Sequence, residues 1–301
     1  MYSPEALTNY ESDTSSEERP RSQPLNVKIQ AKFQIARPPP KSSQRLRLSP
    51  KLLLQVQQLP SNHRPVPVLE VWQPPLRKSR LTKGFPQRPK LGTKDIYATL
   101  NEPYITKTPT SQVQEHSQQE TQSNSDQNTQ EKDIIAAMCK PSINASSTSA
   151  IHFRDARRIW QASAGLAGND HNTPCYRFVI KDNEQTASPE QCQMIMQWEK
   201  KTLSTNGNEV PGTPGNEHFV LVVIDRKARR KSRIATMNRG GFDITVRKSS
   251  ILDHLRTCLA LTDPVSVSSG DPVSCADLEK WLYTLVLTFG ISVASQEGWL
   301  G

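Results

Sequence analysis

The longest helical pattern of the chain lies in its last stretch. Apolar side chains recur at helical spacing from Leu278 to Val293, and only a narrow stripe of small polar residues interrupts them. Ser274 and Asp277 have the spacing of a capping box, and Gly298 is a suitable stop for the helix. Because this helix is apolar nearly all round, either protein or lipid must surround it.

Two interpretations of this helix follow, a core element and a membrane anchor. The uncharged run between Lys280 and Glu297 has 16 residues, whereas a spanning helix needs about 20 apolar residues. Length therefore favours a core helix, and an anchor formed by residues 278–296 is the alternative.

Between residues 150 and 246 apolar and polar residues alternate with a period of two, which is the pattern of half-buried strands. The clearest alternation covers residues 192–198, where Cys, Met, Met and Trp alternate with polar residues. Similar patterns or short apolar runs predict further strands at residues 151–153, 158–162, 176–181, 219–224, 234–237 and 242–246, with a helical turn over residues 155–162 as the alternative to the second of these.

Turn sequences separate several of these strands, and a short helix over residues 251–260 precedes the final one. About six strands followed by one long apolar helix predict an α+β fold. We expect an antiparallel β-meander or partial barrel that is closed by the C-terminal helix.

Composition sets the N-terminal part of the chain apart. Residues 19–94 contain 17 Lys plus Arg against one acid, and 13 of the 23 prolines, whereas the whole chain has a net charge of +9. Such a segment repels itself and buries little apolar surface. We therefore predict that residues 1–48 are disordered and that residues 49–106 form a basic, Pro-rich arm with short docking segments.

Two docking segments stand out within this arm. Residues 49–59 begin with Ser and Pro and predict a short helix. Residues 66–72 predict an extended segment of the edge type, because Pro67 cannot donate to a central ladder. A disordered linker rich in Gln, Ser and Asn follows at residues 107–132, and the α+β domain is predicted to occupy residues 133–301.

No motif of a common enzyme class occurs in the sequence, so the protein is predicted to be non-enzymatic and to use no cofactor. The two His and Cys pairs at a spacing of four, His171 with Cys175 and His254 with Cys258, each supply only two of the four ligands of a structural zinc site. The five cysteines form no CxxC pair, and residues 1–11 lack the apolar run of a signal peptide. These features indicate an intracellular protein of the cytoplasm or nucleus.

The sharpest candidate site is a run with six cations in eight residues: Arg226, Lys227, Arg229, Arg230, Lys231 and Arg233. Three functions fit such a run, namely nuclear import, binding of anionic lipid headgroups, and contact with a nucleic-acid backbone. A solvated hairpin turn that discourages edge-to-edge aggregation is the structural alternative. Few aromatic residues lie among the cations, which argues against nucleic acid.

Several stretches of the chain resemble a group of filamentous-fungal proteins with no assigned activity. They are residues 49–55, 64–71, 225–237 and 288–299. In that group the strand–turn–strand has the form Asn-Pro-x-x-Arg-Arg, where this chain has Asp225 and Arg226, and a Trp is found where this chain has Ser292. The layout also resembles the pleckstrin-homology-like and tubby-like C-terminal barrels, and this implies a barrel associated with phosphoinositides.

These observations lead to two functional expectations. The first is a non-enzymatic adaptor whose disordered basic arm recruits protein partners of unknown identity. The alternative is a peripheral membrane protein that binds anionic phosphoinositide headgroups through residues 226–233, or one that is tail-anchored through residues 278–296. Nucleic acid is the least favoured partner class.

Overall fold

A closed barrel of twelve antiparallel strands surrounds the C-terminal helix in the computed structural model. The structure describes residues 29–39, 49–76, 79–106, 134–141, 148–156, 158–166, 173–181, 195–202, 217–225, 230–247, 249–262 and 275–300. The strands are β1 (Ile29–Ala36), β2 (Lys51–Gln58), β3 (Val66–Gln73), β4 (Ser79–Arg80), β5 (Lys90–Leu91), β6 (Ile96–Leu100), β7 (Ile134–Cys139), β8 (Ser149–Phe153), β9 (Ile159–Leu166), β10 (Pro174–Lys181), β11 (Ile195–Thr202), β12 (Glu217–Asp225), β13 (Arg230–Asn238) and β14 (Gly241–Val246). The helices are α1 (Ser249–Thr262) and α2 (Cys275–Gln296).

Strand order around the barrel is β1, β14, β13, β12, β11, β10, β9, β8, β7, β6, β3 and β2. Most neighbours are consecutive in the chain, as the predicted meander requires. Closure depends on β1, which pairs with β14 on one side and with β2 on the other. The partial barrel of the sequence prediction is thus a complete one, and the fold is mainly β rather than a balanced α+β fold.

Helix α2 lies inside the barrel, because its side chains contact strands from opposite sides. Phe289 stacks on Phe178 of β10 at 4.2 Å between ring centroids and meets Trp160 of β9 edge-on at 5.0 Å. Farther along the barrel wall, Tyr283 meets Phe33 of β1 at 5.4 Å. The prediction of a core helix is confirmed. The structure does not agree with the alternative anchor over residues 278–296, since the apolar side chains of these residues pack against the inner face of the barrel.

Within the described part of the chain, no helix combines the length and the apolar character needed to cross a bilayer.

The C-terminal end of α2 is fixed by backbone and side-chain bonds. Gly298 takes a φ of 73°, and the amide of Trp299 donates to the carbonyl of Ala294 at 2.8 Å, which is a Schellman-type cap. The guanidinium of Arg37, just after β1, donates to the carbonyl of Trp299 at 3.0 Å. Glu297 accepts from Lys200 of β11 at 3.2 Å. The helix end is therefore tied to β11 and to the residue that follows β1.

The predicted helix at residues 49–59 is wrong, because this segment forms strand β2. Leu54, Val56 and Gln58 are buried at every second position, whereas the residues between them are partly exposed. Three consecutive leucines hide this period of two in the sequence. Pairing with β1 and β3 then overrides the local helix signals of Ser49 and Pro50.

Residues 66–72 are extended as predicted, but they do not lie at an edge. Strand β3 pairs with both β2 and β6, and the register against β2 shifts between Val56 and Gln57, next to Pro67. The irregularity accommodates a residue that has no N–H group to donate.

The predicted division of the chain at residue 133 is also corrected by the strand order. Part of the segment predicted as disordered, Ile29–Ala36, is the closing strand β1, and the arm supplies β2, β3 and β6. Strands β1, β2 and β3 of this basic segment belong to the barrel, and their apolar side chains alternate towards α2. The predicted linker at residues 107–132 lies outside the described residues.

A second, smaller apolar cluster covers the outside of the barrel. The excursion between β3 and β6 places Leu81, Phe85 and Leu91 against Tyr97 of β6 and Ala137 of β7. These strands therefore bury side chains on both faces.

The close approach of α2 to the barrel wall predicts the effect of Gly290→Ala. A Cβ at residue 290 would collide with the ring of Phe242 and lie 3.0 Å from Sδ of Met237. Alanine alone favours a helix by about 1 kcal/mol, so a net destabilisation of about 1–2 kcal/mol would show that overpacking decides. Urea unfolding measures it. The exposed Gln296→Ala on the same helix serves as the control and is expected to change the free energy of unfolding by less than about 0.5 kcal/mol. Unchanged or raised stability for Gly290→Ala would contradict the packing of α2 against β13 and β14.

Candidate anion-binding cleft

A β-bulge in β13 decides which way the cationic residues of this strand point. Ala235 pairs with Leu221 and Arg233 pairs with Val222, so Ile234 is an extra residue in the ladder. Ala235 and Met237 face the core. Without the bulge, simple alternation would turn Arg233 and Lys231 inward as well. The extra residue restores an outward orientation, and both cations are exposed.

A cleft of about 500 Å³ lies on the outer face of the barrel next to this bulge. It crosses β13, β14 and β1 and extends to the start of α1. The lining residues are Gln30, Lys231, Ser232, Arg233, Ile234, Ala235, Thr236, Asp243, Thr245, Arg247 and Ile251. Their side chains are mainly hydroxyl, amide and charged groups, so the cleft suits a polar ligand.

The charge of the cleft is positive. Lys231, Arg233 and Arg247 face a single carboxylate, that of Asp243, which accepts from the hydroxyl of Thr245 at 3.2 Å. Within the described part of the chain, Arg233 and Arg247 make no hydrogen bond or ion pair, so their guanidinium groups are available to an anion. Guanidinium groups bind carboxylate and phosphate oxygens in a bidentate manner.

Helix α1 adds a weaker contribution at the rim of the cleft. Ile251, its third residue, lines the cleft, and the first turn of α1 contains no acidic residue. The amide groups of a first helical turn lack partners within the helix and carry a partial positive charge. This helix end therefore adds to the positive potential of the cleft.

Among the residues that the structure describes, Lys231 is the one cation of the cleft with a counter-ion. Its Nζ lies 3.0 Å from Oε1 of Glu199 on β11, and the exposed fraction of the side chain is 53% for Lys231 and 10% for Glu199. The same carboxylate binds Lys201 at 3.3 Å and accepts from the amide of Gln197 at 3.0 Å. Glu199 is not part of the cleft lining.

The environment of Glu199 lowers the pKa of its carboxyl group. Burial by itself raises this pKa, but the hydrogen bond and the charge of Lys231, followed by those of Lys201, outweigh it. The carboxylate is therefore ionised at neutral pH and holds both lysines.

The predicted cationic run is divided between the strand and its connection. Arg226, Lys227 and Arg229 lie outside the described residues. Arg230 opens β13, where it pairs with Asp225 of β12, and the side chain of Arg230 is not among the described ones. The structure brings Lys231 and Arg233 into one cleft, on a strand rather than at a hairpin tip.

Apart from Lys231 and Arg233, the lining residues of the cleft were not predicted as site residues, and three of them form its side on and after β14. Arg247, Asp243 and Thr245 come from β14 and the residue that follows it. The alternation of residues 242–246 did contain a signal, because it places Asp243 and Thr245 on the outer face next to β13. Only the register of β13 against β14 shows which residues of β13 they approach.

Neither His and Cys pair gains support as a metal site. His171 and the Cys258 side chain lie outside the described residues, and Cys175 is a buried residue of β10. Among the residues described, no group of three or more potential metal ligands is found.

Comparisons with protein-family models, with curated proteins and with solved structures find no match for this chain.

The lowered pKa of Glu199 predicts a pH-dependent contribution to stability. A carboxylate with a lowered pKa stabilises the fold above its usual pKa of 4.5, and this contribution is lost as the pH falls through the folded-state pKa. The difference in the free energy of unfolding between the wild type and Glu199→Gln should therefore be largest near neutral pH and shrink upon acidification below 4.5. Urea titrations over this range measure it.

Lys231→Met provides the matched control, because it removes the main partner and should reduce the pH dependence contributed by Glu199. A difference between wild type and Glu199→Gln that stays constant with pH would show that Glu199 is not held by these lysines.

Proposed function

We propose that the protein is a non-enzymatic binding protein that recognises the phosphate-bearing headgroup of an anionic lipid through this cleft. The observation that carries the proposal is the convergence of Lys231, Arg233 and Arg247 on one cleft of about 500 Å³. Two of these cations lack an intramolecular partner within the described residues, and such groups attract a multiply charged anion most strongly.

The location of the cleft also favours a lipid ligand. Lys231 lies near the start of β13 and Arg247 directly follows β14, so both lie at the same end of the barrel. A flat anionic surface that approaches this end would meet Lys231 and Arg247 together. The resemblance to phosphoinositide-associated barrels points in the same direction.

The adaptor hypothesis receives less support from the structure. It assigned recruitment to a free basic arm, whereas β1, β2, β3 and β6 of that segment are barrel strands. Their main-chain groups are already paired with neighbouring strands and are unavailable to a partner.

We predict that the full chain binds vesicles containing a phosphorylated phosphatidylinositol and that Arg233→Gln with Arg247→Gln weakens this binding about thirty-fold. Each cation near an anionic membrane contributes about 1 kcal/mol, and two such contributions give this factor. Vesicle co-sedimentation at low salt measures the affinity, which should also fall as salt rises.

The matched control removes two exposed cations from the excursion over β6 and β7, across the barrel from the cleft. Lys83→Gln with Lys90→Gln changes the net charge equally but leaves the cleft intact, and we expect a much smaller loss. Equal losses for the two double variants would overturn the cleft as the site. A soluble inositol phosphate that competes fully would show headgroup recognition, whereas free phosphate competing equally well would show a general anion site.

A further inference from the structure

We propose that Glu199 competes with the ligand for Lys231 and thereby makes the cleft selective for phosphomonoester headgroups over singly charged ones. This inference rests on the proposed function, because it concerns the same cleft. It assigns a role in specificity to a residue that lies outside the cleft lining.

Lys231 has two alternative positions for its charge. The residue lines the cleft, yet its ammonium group lies 3.0 Å from Glu199 on the neighbouring surface of the barrel. The side chain is half exposed and has a flexible four-carbon stem, so the ammonium group is free to turn from one partner to the other.

Release of Lys231 leaves the carboxylate of Glu199 with partners. Lys201 remains at 3.3 Å and the amide of Gln197 at 3.0 Å. The exchange therefore avoids the large penalty of a buried, unpaired carboxylate, which would fix Lys231 in place. Glu199 thus loses one of its three donors and keeps the other two.

The charge of a ligand decides whether it displaces Glu199 from Lys231. A carboxylate or phosphodiester carries one negative charge and attracts the ammonium group of Lys231 about as strongly as Glu199 does. A phosphomonoester carries a charge of about −1.5 to −2 at neutral pH and attracts Lys231 more strongly than Glu199 does. Arg233 and Arg247 have no competing partner among the described residues, so they attract both classes of ligand. Discrimination between the two classes then depends on Lys231 and Glu199.

The test compares Glu199→Gln with the wild type on two kinds of vesicle in a phosphatidylcholine background. One kind contains phosphatidylserine and the other a phosphatidylinositol monophosphate, at matched total charge. A partly exposed ion pair such as that of Lys231 with Glu199 corresponds to about a two- to five-fold change in affinity. We expect Glu199→Gln to bind phosphatidylserine vesicles tighter by this factor and phosphoinositide vesicles by less, so that the selectivity ratio falls.

Two controls separate competition for Lys231 from a general effect of charge. Glu70→Gln removes a carboxylate from the outer face of β3 and should leave the selectivity ratio unchanged. In a Lys231→Met background, Glu199→Gln should have no effect on the selectivity ratio, because Lys231, for which Glu199 and the ligand compete, is absent. If Glu199→Gln does not fold, Glu199→Asp shortens the carboxylate side chain and should change the ratio in the same direction.

Three results are decisive. An equal gain on both vesicles, or a gain that persists without Lys231, overturns the competition while leaving the cleft as a binding site. Wild-type protein that binds neither vesicle, or binding that is insensitive to Arg233→Gln with Arg247→Gln, overturns the proposed function itself and the competition with it. A falling ratio that requires Lys231 supports both.

Discussion

The burial of one apolar helix is the constraint on which the rest of the structure depends. A barrel of about eight strands is filled by its own side chains, and twelve strands enclose a wider space that needs further atoms. Helix α2 supplies them, and it has almost no polar face to present to water. Barrel and helix therefore require each other. Gly290 has no side chain at the point where α2 meets Phe242, and a Cβ there would collide with the phenyl ring. Helix and barrel wall are therefore in close contact.

This mutual dependence explains why the basic N-terminal segment is part of the fold. Without β1, β2 and β3 the barrel would be open, and the side of α2 that carries Tyr283 would lose its contact with Phe33. The positive charge of the segment is compatible with folding because residues such as Lys32 alternate outwards. Closure joins residues far apart in sequence, since Arg37 binds the carbonyl of Trp299, and such topologies fold slowly.

Local patterns predicted most of the second half of the fold and only part of the first, where the extended segment of β3 was predicted. Alternation, short apolar runs and turn residues predicted the strands from β8 to β14, with a helical turn as the alternative for β9, and helical spacing of apolar residues predicted both helices. The helix prediction for the segment that forms β2 was wrong, because Leu52, Leu53 and Leu54 show no alternation. Only pairing with the neighbouring strands makes this segment a strand. In the cleft, Lys231 and Arg233 were predicted from charge alone. Arg247 was missed, because its approach depends on the register of β13 against β14.

The geometry of β13 also bears on the meaning of its cations. Charged residues often protect the free edges of sheets against aggregation, and this was the structural alternative for the run at residues 226–233. Strand β13 has no free edge, because β12 and β14 pair with it on both sides. Protection of an edge therefore does not explain Lys231 and Arg233. The bulge at Ile234 turns both residues away from the core, and bulges commonly redirect side chains next to binding sites. The bulge, the outward orientation of the two cations and the cleft together are the observations on which the proposed recognition of an anion rests.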